Sequence, residues 1–258
     1  DLLFLSPDGF RLVAGTERIG DVELGSVSRQ IQSVVSTIAK SIDGFFVSSA
    51  VLRSKSQYRF FYSASTGTTA TSKGLIGTIT PNGFEWSETI GIQAHGFASG
   101  LDYSNIEQIY HGDSAGYVYN HNTGNDFNPA GVQTNINARY KTPNLDFGDA
   151  GTLKSLHYTK ISFTPEGAVQ PVLKVSYDFD SLDRPQPPLY TLDEIPTPAV
   201  FGAGTLGSSV FGAAGDPMVR TAVQGSGHNI AFKIFSQDTK APYSINGFYV
   251  DYRPSGRR

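Results

Sequence analysis

Short apolar strands and tight polar turns alternate in the first half of the chain, and one strand–turn–strand unit occurs there three times. The units cover residues 4–15, 58–87 and 109–120, and the first two carry Pro-Asp-Gly and Pro-Asn-Gly turns. Small antiparallel units that recur roughly every 45–50 residues are typical of β-propeller blades. The pattern therefore predicts propeller blades over residues 1–130, with no catalytic motif in their turns.

One stretch of this half has a helical period. Its apolar residues follow the i, i+3, i+4 spacing of an amphipathic helix, and they are Val27, Ile31, Val34, Val35 and Ile38. Ser28 is a candidate N-cap residue. Because Ser and Val have low helix propensity, a strand is the open alternative. The sequence predicts one or the other over residues 27–42.

The second half alternates apolar and polar residues at a period of two, which is typical of half-buried strands. The alternating stretches are residues 135–142, 154–165, 172–179, 218–223, 229–237 and 243–252. A polar loop over residues 120–131 separates them from the first half. This arrangement predicts an antiparallel β-sandwich over residues 131–258, and the predicted fold class is all-β.

Proline and glycine are concentrated in residues 183–217. Such a composition predicts a long projecting loop with little hydrophobic core of its own. Projecting loops often contact other proteins, so this segment is a candidate arm for assembly.

Composition narrows the range of functions. The net charge is −3, and Lys and Arg are dispersed along the sequence apart from Arg253, Arg257 and Arg258. This argues against a dedicated nucleic-acid surface. Cysteine is absent, which excludes disulfides, thiolate zinc sites and cysteine nucleophiles. No apolar run approaches the roughly 18 residues that a membrane-spanning helix needs.

The first residues already have the pattern of a strand. Asp1 is followed directly by Leu2-Leu3-Phe4-Leu5. Three blade-like units are also fewer than the roughly four that a closed propeller needs. We therefore expect the chain to continue a longer protein whose upstream part holds further blades.

Five histidines are the first candidates for chemistry: His95, His111, His121, His157 and His228. None lies in a metal-binding spacing such as H-E-x-x-H. His111 could act as a base oriented by Asp113, but turn chemistry favours an Asx-turn made by Asp113. No catalytic, cofactor or metal site is therefore assigned.

Two glycine-rich motifs resemble functional loops only superficially. Ser209 lacks the strand-to-helix context of a nucleophile elbow. Residues 202–207 mimic G-x-G-x-x-G but follow no strong strand and open no helix. Both are expected to be ordinary loop residues.

Acidic residues cluster at the end of one predicted strand. Alternation puts Asp178 and Asp180 on one face, close to Asp183, where they could form a carboxylate pair or bind calcium. The glycine and bidentate Glu of a calcium loop are missing, so polar-face and turn positions are favoured. Three other acidic residues are assigned to turns: Asp146, Asp149 and Glu166.

Four aromatic residues could stack on sugar rings: Phe84, Trp86, Tyr117 and Tyr119. Their period-two placement in strands favours packing between blades instead. The Asn-rich residues 120–125 near the two tyrosines are the one patch compatible with glycan binding.

Two passages of the second half resemble a known group of proteins. The first contains residues 142–148, Thr-Pro-Asn-Leu-Asp-Phe-Gly, and residues 154–156, Lys-Ser-Leu. It resembles the strand, TP-x-L-DFG and K-x-L passage of short-tailed bacteriophage virion proteins. Residues 243–258 are similar to the final strand and RP-x-GRR ending of those proteins. The blade units resemble their propeller, so the resemblance covers most of the chain.

The virion proteins that carry these motifs are tail nozzle proteins, which are also called tail tubular proteins. The resemblance implies a virion tail location and a hexameric ring below the portal and adaptor. It also implies contacts with the adaptor and with tail fibre or spike proteins, and a lumen through which DNA passes as cargo. An acidic to neutral, non-enzymatic protein suits such a conduit because it does not grip phosphate. The motifs mark a fold rather than a site, so no functional residue is transferred.

Two other functions are open from the sequence. The chain could be a propeller-based receptor- or glycan-binding virion adhesin, which needs exposed aromatics with Asn or Asp on one propeller face. It could also be a glycan-degrading enzyme, which needs two convergent carboxylates, with Asp113 and Asp178 as candidates.

Overall fold

Antiparallel strands make up more than half of the residues that the structure describes. The computed structural model describes residues 2–13, 26–64, 72–125, 131–195 and 218–257. Contacts divide the chain into two units, Asp1–Thr123 and Gly124–Arg258. The all-β prediction is confirmed for the described residues, which contain a single short α-helix.

Nine strands are described in the first unit. They are β1 (Leu3–Ser6), β2 (Gly9–Leu12), β3 (Phe45–Leu52), β4 (Gln57–Ala64), β5 (Lys73–Thr80), β6 (Gly83–Ile90), β7 (Gly96–Leu101), β8 (Glu107–Gly112) and β9 (Val118–Asn120). β1 and β2 form a hairpin, β3 to β6 form a four-stranded meander, and β7 to β9 form a three-stranded meander. All of these pairs are antiparallel.

The three predicted strand–turn–strand units are present as the hairpins β1–β2, β5–β6 and β8–β9. Ser6 pairs with Gly9 across the first turn, and Thr80 pairs with Gly83 across the second. No sheet of the described residues closes into a ring. The hairpins are therefore established, while the propeller stays a prediction.

The stretch that allowed a helix or a strand is helical. Helix α1 (Gln32–Lys40) follows a single 3-10 turn and buries Val35 and Ile38. Ser28 does not cap it with its side chain. The Ser28 hydroxyl instead accepts a hydrogen bond from the Phe10 N–H at 2.8 Å. The capping prediction is wrong because this hydroxyl is used by strand β2.

Alternate side chains of β4 face two different layers. Phe60 and Tyr62 share one core with Phe10 of β2 and the apolar face of α1. Phe61 points the opposite way and packs on Phe97 of β7, with 4.8 Å between ring centroids. The hairpin with its helix, the four-stranded sheet and the three-stranded sheet are therefore successive layers.

The first strands of the two meanders, β3 and β7, lie side by side. The Ser99 hydroxyl donates to the carbonyl of Val51 at 2.9 Å, and the Ser48 hydroxyl donates to the carbonyl of Ala94 at 3.1 Å. An open groove of about 630 Å³ lies between the two strands. Side-chain bonds, rather than a backbone ladder, therefore hold these two sheets together at this edge.

The second unit contains two antiparallel sheets. Its described strands are β10 (Ile136–Lys141), β11 (Thr152–Pro165), β12 (Val172–Tyr177), β13 (Tyr190–Thr191), β14 (Met218–Ala222), β15 (Ser226–Gly227), β16 (Ile230–Asp238) and β17 (Tyr243–Arg257). One sheet has the order β10-β16-β12-β13. In the other, β11 pairs with β17 along its length and also with β14 and β15.

Both sheets contribute to one hydrophobic core. Phe163 of β11 packs there with Leu173 of β12 and Phe232 of β16, and all three are fully buried. Two antiparallel sheets on a shared core form a β-sandwich. Each of the six alternating stretches of the sequence overlaps one of its strands.

Residues 183–195 are tied to this sandwich instead of projecting from it. Strand β13 pairs with β12, and Leu192 and Ile195 are only 1% and 8% exposed. The predicted projection is wrong for this part of the segment, because its apolar residues anchor it in the core. Residues 196–217, which complete the predicted arm, lie outside the described residues.

The two passages that carry the family resemblance lie in contact. Phe147 stacks on Tyr252 with 5.1 Å between ring centroids. The hydroxyl oxygens of Ser155 and Ser255 lie 2.6 Å apart, where β11 runs along β17. The two passages therefore form one packed region of the second unit.

Candidate functional site

His111 and Gly112 end strand β8, and Asp113 begins the turn that follows it. The Asp113 carboxylate accepts hydrogen bonds from the backbone N–H groups of Ala115 and Tyr117, both at 2.9 Å. It also accepts one from the Tyr119 hydroxyl at 3.1 Å. Although burial acts in the opposite direction, these bonds lower the pKa of Asp113. The Asx-turn interpretation is confirmed.

His111 belongs instead to a buried cluster with His121 and Arg59. His111 on β8 is 4% exposed, and its Nδ1 lies 2.6 Å from Nε2 of His121. Arg59 on β4 is 6% exposed and donates from Nη1 to Nδ1 of His121 at 3.4 Å. Among the described residues, its guanidinium also donates to the neutral side-chain oxygens of Gln57 and Asn122.

The hydrogen bonds assign the proton positions in this cluster. A guanidinium only donates, so Nδ1 of His121 accepts from Arg59. Nε2 of His121 then carries the proton and donates to Nδ1 of His111. His111 in turn is protonated at its Nε2.

Both imidazoles are neutral at physiological pH. Burial lowers the pKa of His111 to about 4, against the attraction of Asp113. Burial, the repulsion that a protonated His111 would exert and the positive charge of Arg59 lower the pKa of His121 to about 3. Burial also lowers the pKa of Arg59. The cluster therefore joins the two meanders of the first unit and presents no free base to a substrate.

The sequence offered no signal for this cluster. Arg59 and His121 lie 62 residues apart in the sequence, and His121 lies in a loop of polar composition. The alternation along β4 indicates that Arg59 and Phe61 share a face. It does not indicate which sheet covers that face.

The aspartates at the end of β12 lie in a turn. The strand ends at Tyr177, and residues 178–180 have positive φ angles of 49°, 64° and 60°. The prediction that Asp178 and Asp180 share a strand face is therefore wrong. Turn geometry, not strand alternation, sets the direction of each carboxylate.

These carboxylates have separate partners. Asp178 accepts bonds from the backbone N–H groups of His228 and Asn229 at 2.7 and 2.9 Å, and it pairs with Arg184. Asp180 pairs with two lysines, and the Asp183 side chain is exposed. The favoured assignment of Asp178 and Asp180 to turn positions is confirmed.

Other candidates also have structural contacts. Asp146 and Asp149 accept bonds from the backbone N–H groups of Gly148 and Gly151 at 3.0 and 2.9 Å, which confirms their turn assignment. His95 stacks on Phe46 at 4.5 Å. Ser209 and residues 202–207 lie outside the described residues.

The aromatic candidates are mostly packed. Trp86 stacks on Phe10 at 5.2 Å, and its Nε1 donates to the carbonyl of Val27 at 2.8 Å. Tyr119 stacks on His111 at 4.8 Å. Trp86 therefore packs between two layers, whereas Tyr119 stacks on its cross-strand partner within its own sheet, and Tyr117 is 48% exposed. Packing between blades stays a prediction.

Three lysines that are far apart in the sequence lie side by side on the first sheet of the second unit. The register places Lys141 of β10 opposite Lys233 of β16, and Lys233 opposite Lys174 of β12. Directly opposed residues share a face. This is the outer face, because the alternate residues Leu173 and Phe232 lie in the core. We call Lys141, Lys233 and Lys174 the lysine row.

The lysine row has a single close carboxylate among the described residues. Asp180 lies 3.4 Å from the Nζ atoms of both Lys141 and Lys174. Lys233, in the middle, forms no ion pair with a described residue and lies 5.5 Å from the ring centroid of Phe235. Arg139 is opposite Phe235 and so shares this face. The register thus assembles a basic surface from residues that are dispersed along the sequence.

A second surface feature of this unit is an open groove of about 610 Å³. It lies between β10 and the first half of β17, and its walls include Tyr140, Ile234 and Phe248. All six residues of β10 are exposed. The groove is mainly apolar and shows no convergent set of catalytic groups.

Among the described residues, no group of three or more His, Asp or Glu side chains is placed to hold a metal ion. No helix in the same parts of the chain is long and apolar enough to cross a membrane.

A comparison with known protein families finds no match, and neither does a search of functionally characterised proteins. Function is therefore inferred from the residues and their geometry.

Proposed function

We propose that this chain is a non-enzymatic structural component of a bacteriophage tail, a nozzle subunit that assembles with identical subunits into a ring around passing DNA. The layered packing of the first unit carries this proposal. Successive antiparallel meanders stack face to face there, with their first strands β3 and β7 side by side. β-Propeller blades are small sheets packed in this way.

The last layer of this stack has an outer face on which two large apolar residues are exposed among the described parts of the chain. Phe97, His111 and Tyr119 lie on the face that meets β4, so the alternate residues Tyr110 and Val118 lie on the other face. Tyr110 and Val118 are 43% and 73% exposed. An exposed apolar sheet face favours a further layer, which in our proposal is another blade or a neighbouring subunit.

The contacts of the acidic candidates support a structural role over glycan degradation. Asp113 belongs to the first unit and holds two backbone N–H groups of a turn. Asp178 belongs to the second unit and holds two backbone N–H groups of another turn. Each carboxylate therefore has a local structural task.

A glycan-binding adhesin is the second candidate. One observation favours it, the 48% exposure of Tyr117 close to the Asn-rich residues 120–125. Tyr119, the other aromatic of this patch, is stacked on His111 and bonded to Asp113. The patch therefore offers one exposed ring, that of Tyr117, which is a small platform for a sugar.

Solution mass tests the proposal. Light scattering of the purified chain over a concentration series, alone and with the adaptor protein, should detect a ring-sized oligomer. Val118→Lys should lower the fraction of oligomer, because it places a charge on the outer face of the last layer. Tyr103→Lys is the matched control, since Tyr103 is fully exposed in the turn between β7 and β8.

Two results would contradict the assembly role. One is a monomer at every concentration that ignores the adaptor. The other is an equal loss of oligomer in Val118→Lys and Tyr103→Lys. Specific binding to a glycan array that is lost in Tyr117→Ala would instead support the adhesin.

A further inference from the structure

The lysine row is unfavourable for the sheet that carries it. Like charges directly opposite each other on neighbouring strands repel. Basic residues on edge strands are a common guard against unwanted strand pairing. That reason covers Lys141 on the edge strand β10, but Lys233 and Lys174 lie on the inner strands β16 and β12. Protection of an edge strand therefore does not explain the lysines at positions 174 and 233.

A strained turn supplies the row with its carboxylate. Residues 178–180 all have positive φ, a conformation that non-glycine residues rarely adopt. The bonds from Asp178 to the backbone N–H groups of His228 and Asn229 hold this turn in place. The turn sets the Asp180 carboxylate between Lys141 and Lys174. Asp180 thus occupies the position that an external anion would take.

We infer that the outer face of this sheet binds the phosphate backbone of a nucleic acid, with the lysine row lying along successive phosphates. Neighbouring strands are about 4.8 Å apart, so three strands span about 10 Å. Phosphates of one DNA strand follow each other every ~3.4 Å along the helix axis. The row therefore spans about three of these steps along the helix axis, and Arg139 extends the same face.

The chemistry of the face fits a backbone rather than a compact anion. Lys141 and Lys174 already share the Asp180 carboxylate, while Lys233 and Arg139 form no ion pair with a described residue, so a single phosphate would neutralise only part of the charge on this face. Backbone contacts carry no sequence information, so binding is expected to be independent of base sequence. Binding of this kind needs no ring, and the inference goes beyond the proposed assembly role.

Two substitutions at this face are expected to act in opposite directions. Lys233→Gln removes the central charge and should weaken binding. Asp180→Asn removes the competing carboxylate and should strengthen it. Asparagine is among the residues that best tolerate positive φ, so the turn should keep its shape. If Lys233 and Asp180 served only in folding, the two substitutions would not change the affinity for a nucleic acid in opposite directions.

Fluorescence anisotropy with a labelled DNA duplex of arbitrary sequence is the direct test, over a range of about 25–200 mM salt. The logarithm of the association constant should fall with the logarithm of salt with a slope of about −3. Lys233→Gln should reduce affinity several-fold and reduce the slope by about one. Lys55→Gln is the matched control, because Lys55 is exposed in the first unit and the change in net charge is the same.

Three outcomes would overturn the inference: no binding at the lowest salt, equal effects of Lys233→Gln and Lys55→Gln, or weaker binding by Asp180→Asn. A change of solution mass in Lys233→Gln without DNA binding would also overturn it, since the partner of the face would then be a second copy. If the protein binds DNA as expected but forms no ring, only the assembly role is contradicted.

Discussion

Nδ1 of His111 lies 2.6 Å from Nε2 of His121, inside the contact between the two meanders of the first unit. Each ring is neutral in the folded protein, since their pKa values are lowered to about 4 and about 3. Protonation of either ring would place a positive charge beside the other ring and near Arg59. The pair therefore makes the first unit sensitive to acid.

The first prediction concerns this acid sensitivity. Both pKa values are lower in the folded than in the unfolded chain, so the stability they support is complete above about pH 6.5 and is lost as pH falls toward 4. The loss should approach about 1.4 kcal/mol per pH unit for each histidine. Urea unfolding monitored by Trp86, the single tryptophan, measures it between about pH 7 and pH 5.

His121→Gln tests the assignment. Glutamine can still hydrogen-bond to Arg59 and His111 but does not titrate, so the variant should lose stability less steeply over the same pH range. Above pH 5 the carboxylates with lowered pKa values, such as Asp113, stay ionised and do not interfere. An equal slope for the wild type and His121→Gln would show that the pair is not the acid-sensitive element.

The second prediction concerns Lys154, a lysine that is 2% exposed. Its Nζ donates to the carbonyls of Asp149, Thr152 and His228 at 2.5, 2.9 and 3.0 Å. Lys154→Met keeps most of the volume but leaves these carbonyls without this donor. It should lower the free energy of unfolding of the second unit by about 3 kcal/mol or more.

Lys160→Met is the control for this prediction. Lys160 lies on the same strand, β11, and its Nζ lies 5.8 Å from the centroid of the Tyr158 ring. Its replacement should change stability by only about 0.5 kcal/mol. Circular dichroism during urea unfolding compares the two variants, and equal effects would refute the role of Lys154.

Local patterns predicted many elements of this fold, although β3 and β7 were not among them. Pro81-Asn82-Gly83 marks a turn between two apolar stretches, and a hairpin lies there. The same local reasoning failed at Asp178 because the bonds that hold this turn come from His228 and Asn229, about 50 residues away. It also failed for Leu192 and Ile195, since their composition reflects a loop while their burial depends on a distant core.

The candidate surfaces were even less visible in the sequence. Lys141, Lys174 and Lys233 become neighbours only through strand register, and their spacing along the chain has no period that points to it. Arg59 and His121 meet only because two sheets stack. Charge composition describes the whole chain and hides a basic face on a protein with a net charge of −3.

The third prediction concerns Gly225, which has a φ of +105°. A Cβ atom there would lie 2.5 Å from the ring of Tyr177, which is fully buried and donates its hydroxyl to the carbonyl of Gln224 at 2.9 Å. Gly225→Ala combines backbone strain with this clash and should cost about 3 kcal/mol.

Gly148→Ala separates the two effects. Gly148 has a φ of +84°, and a Cβ atom there would meet nothing within 4 Å. It should cost only the backbone strain, about 1 kcal/mol. Denaturant unfolding of the two variants by circular dichroism should therefore differ, and a Gly225→Ala variant as stable as Gly148→Ala would contradict the close packing of Tyr177.

The fourth prediction links the lysine row to stability. Lys233→Glu turns three like charges into an alternating row, so it should stabilise the second unit by roughly 0.5–1 kcal/mol at low salt. At about 1 M salt the Debye length falls to about 3 Å, and most of this gain should disappear. Lys55→Glu is the control and should show little change at either salt concentration. Urea unfolding by circular dichroism measures all three proteins. If Lys233→Glu is more stable but no longer binds DNA, Lys233 serves DNA binding and lowers the stability of the fold. If the variant is no more stable at low salt, the three lysines do not repel each other.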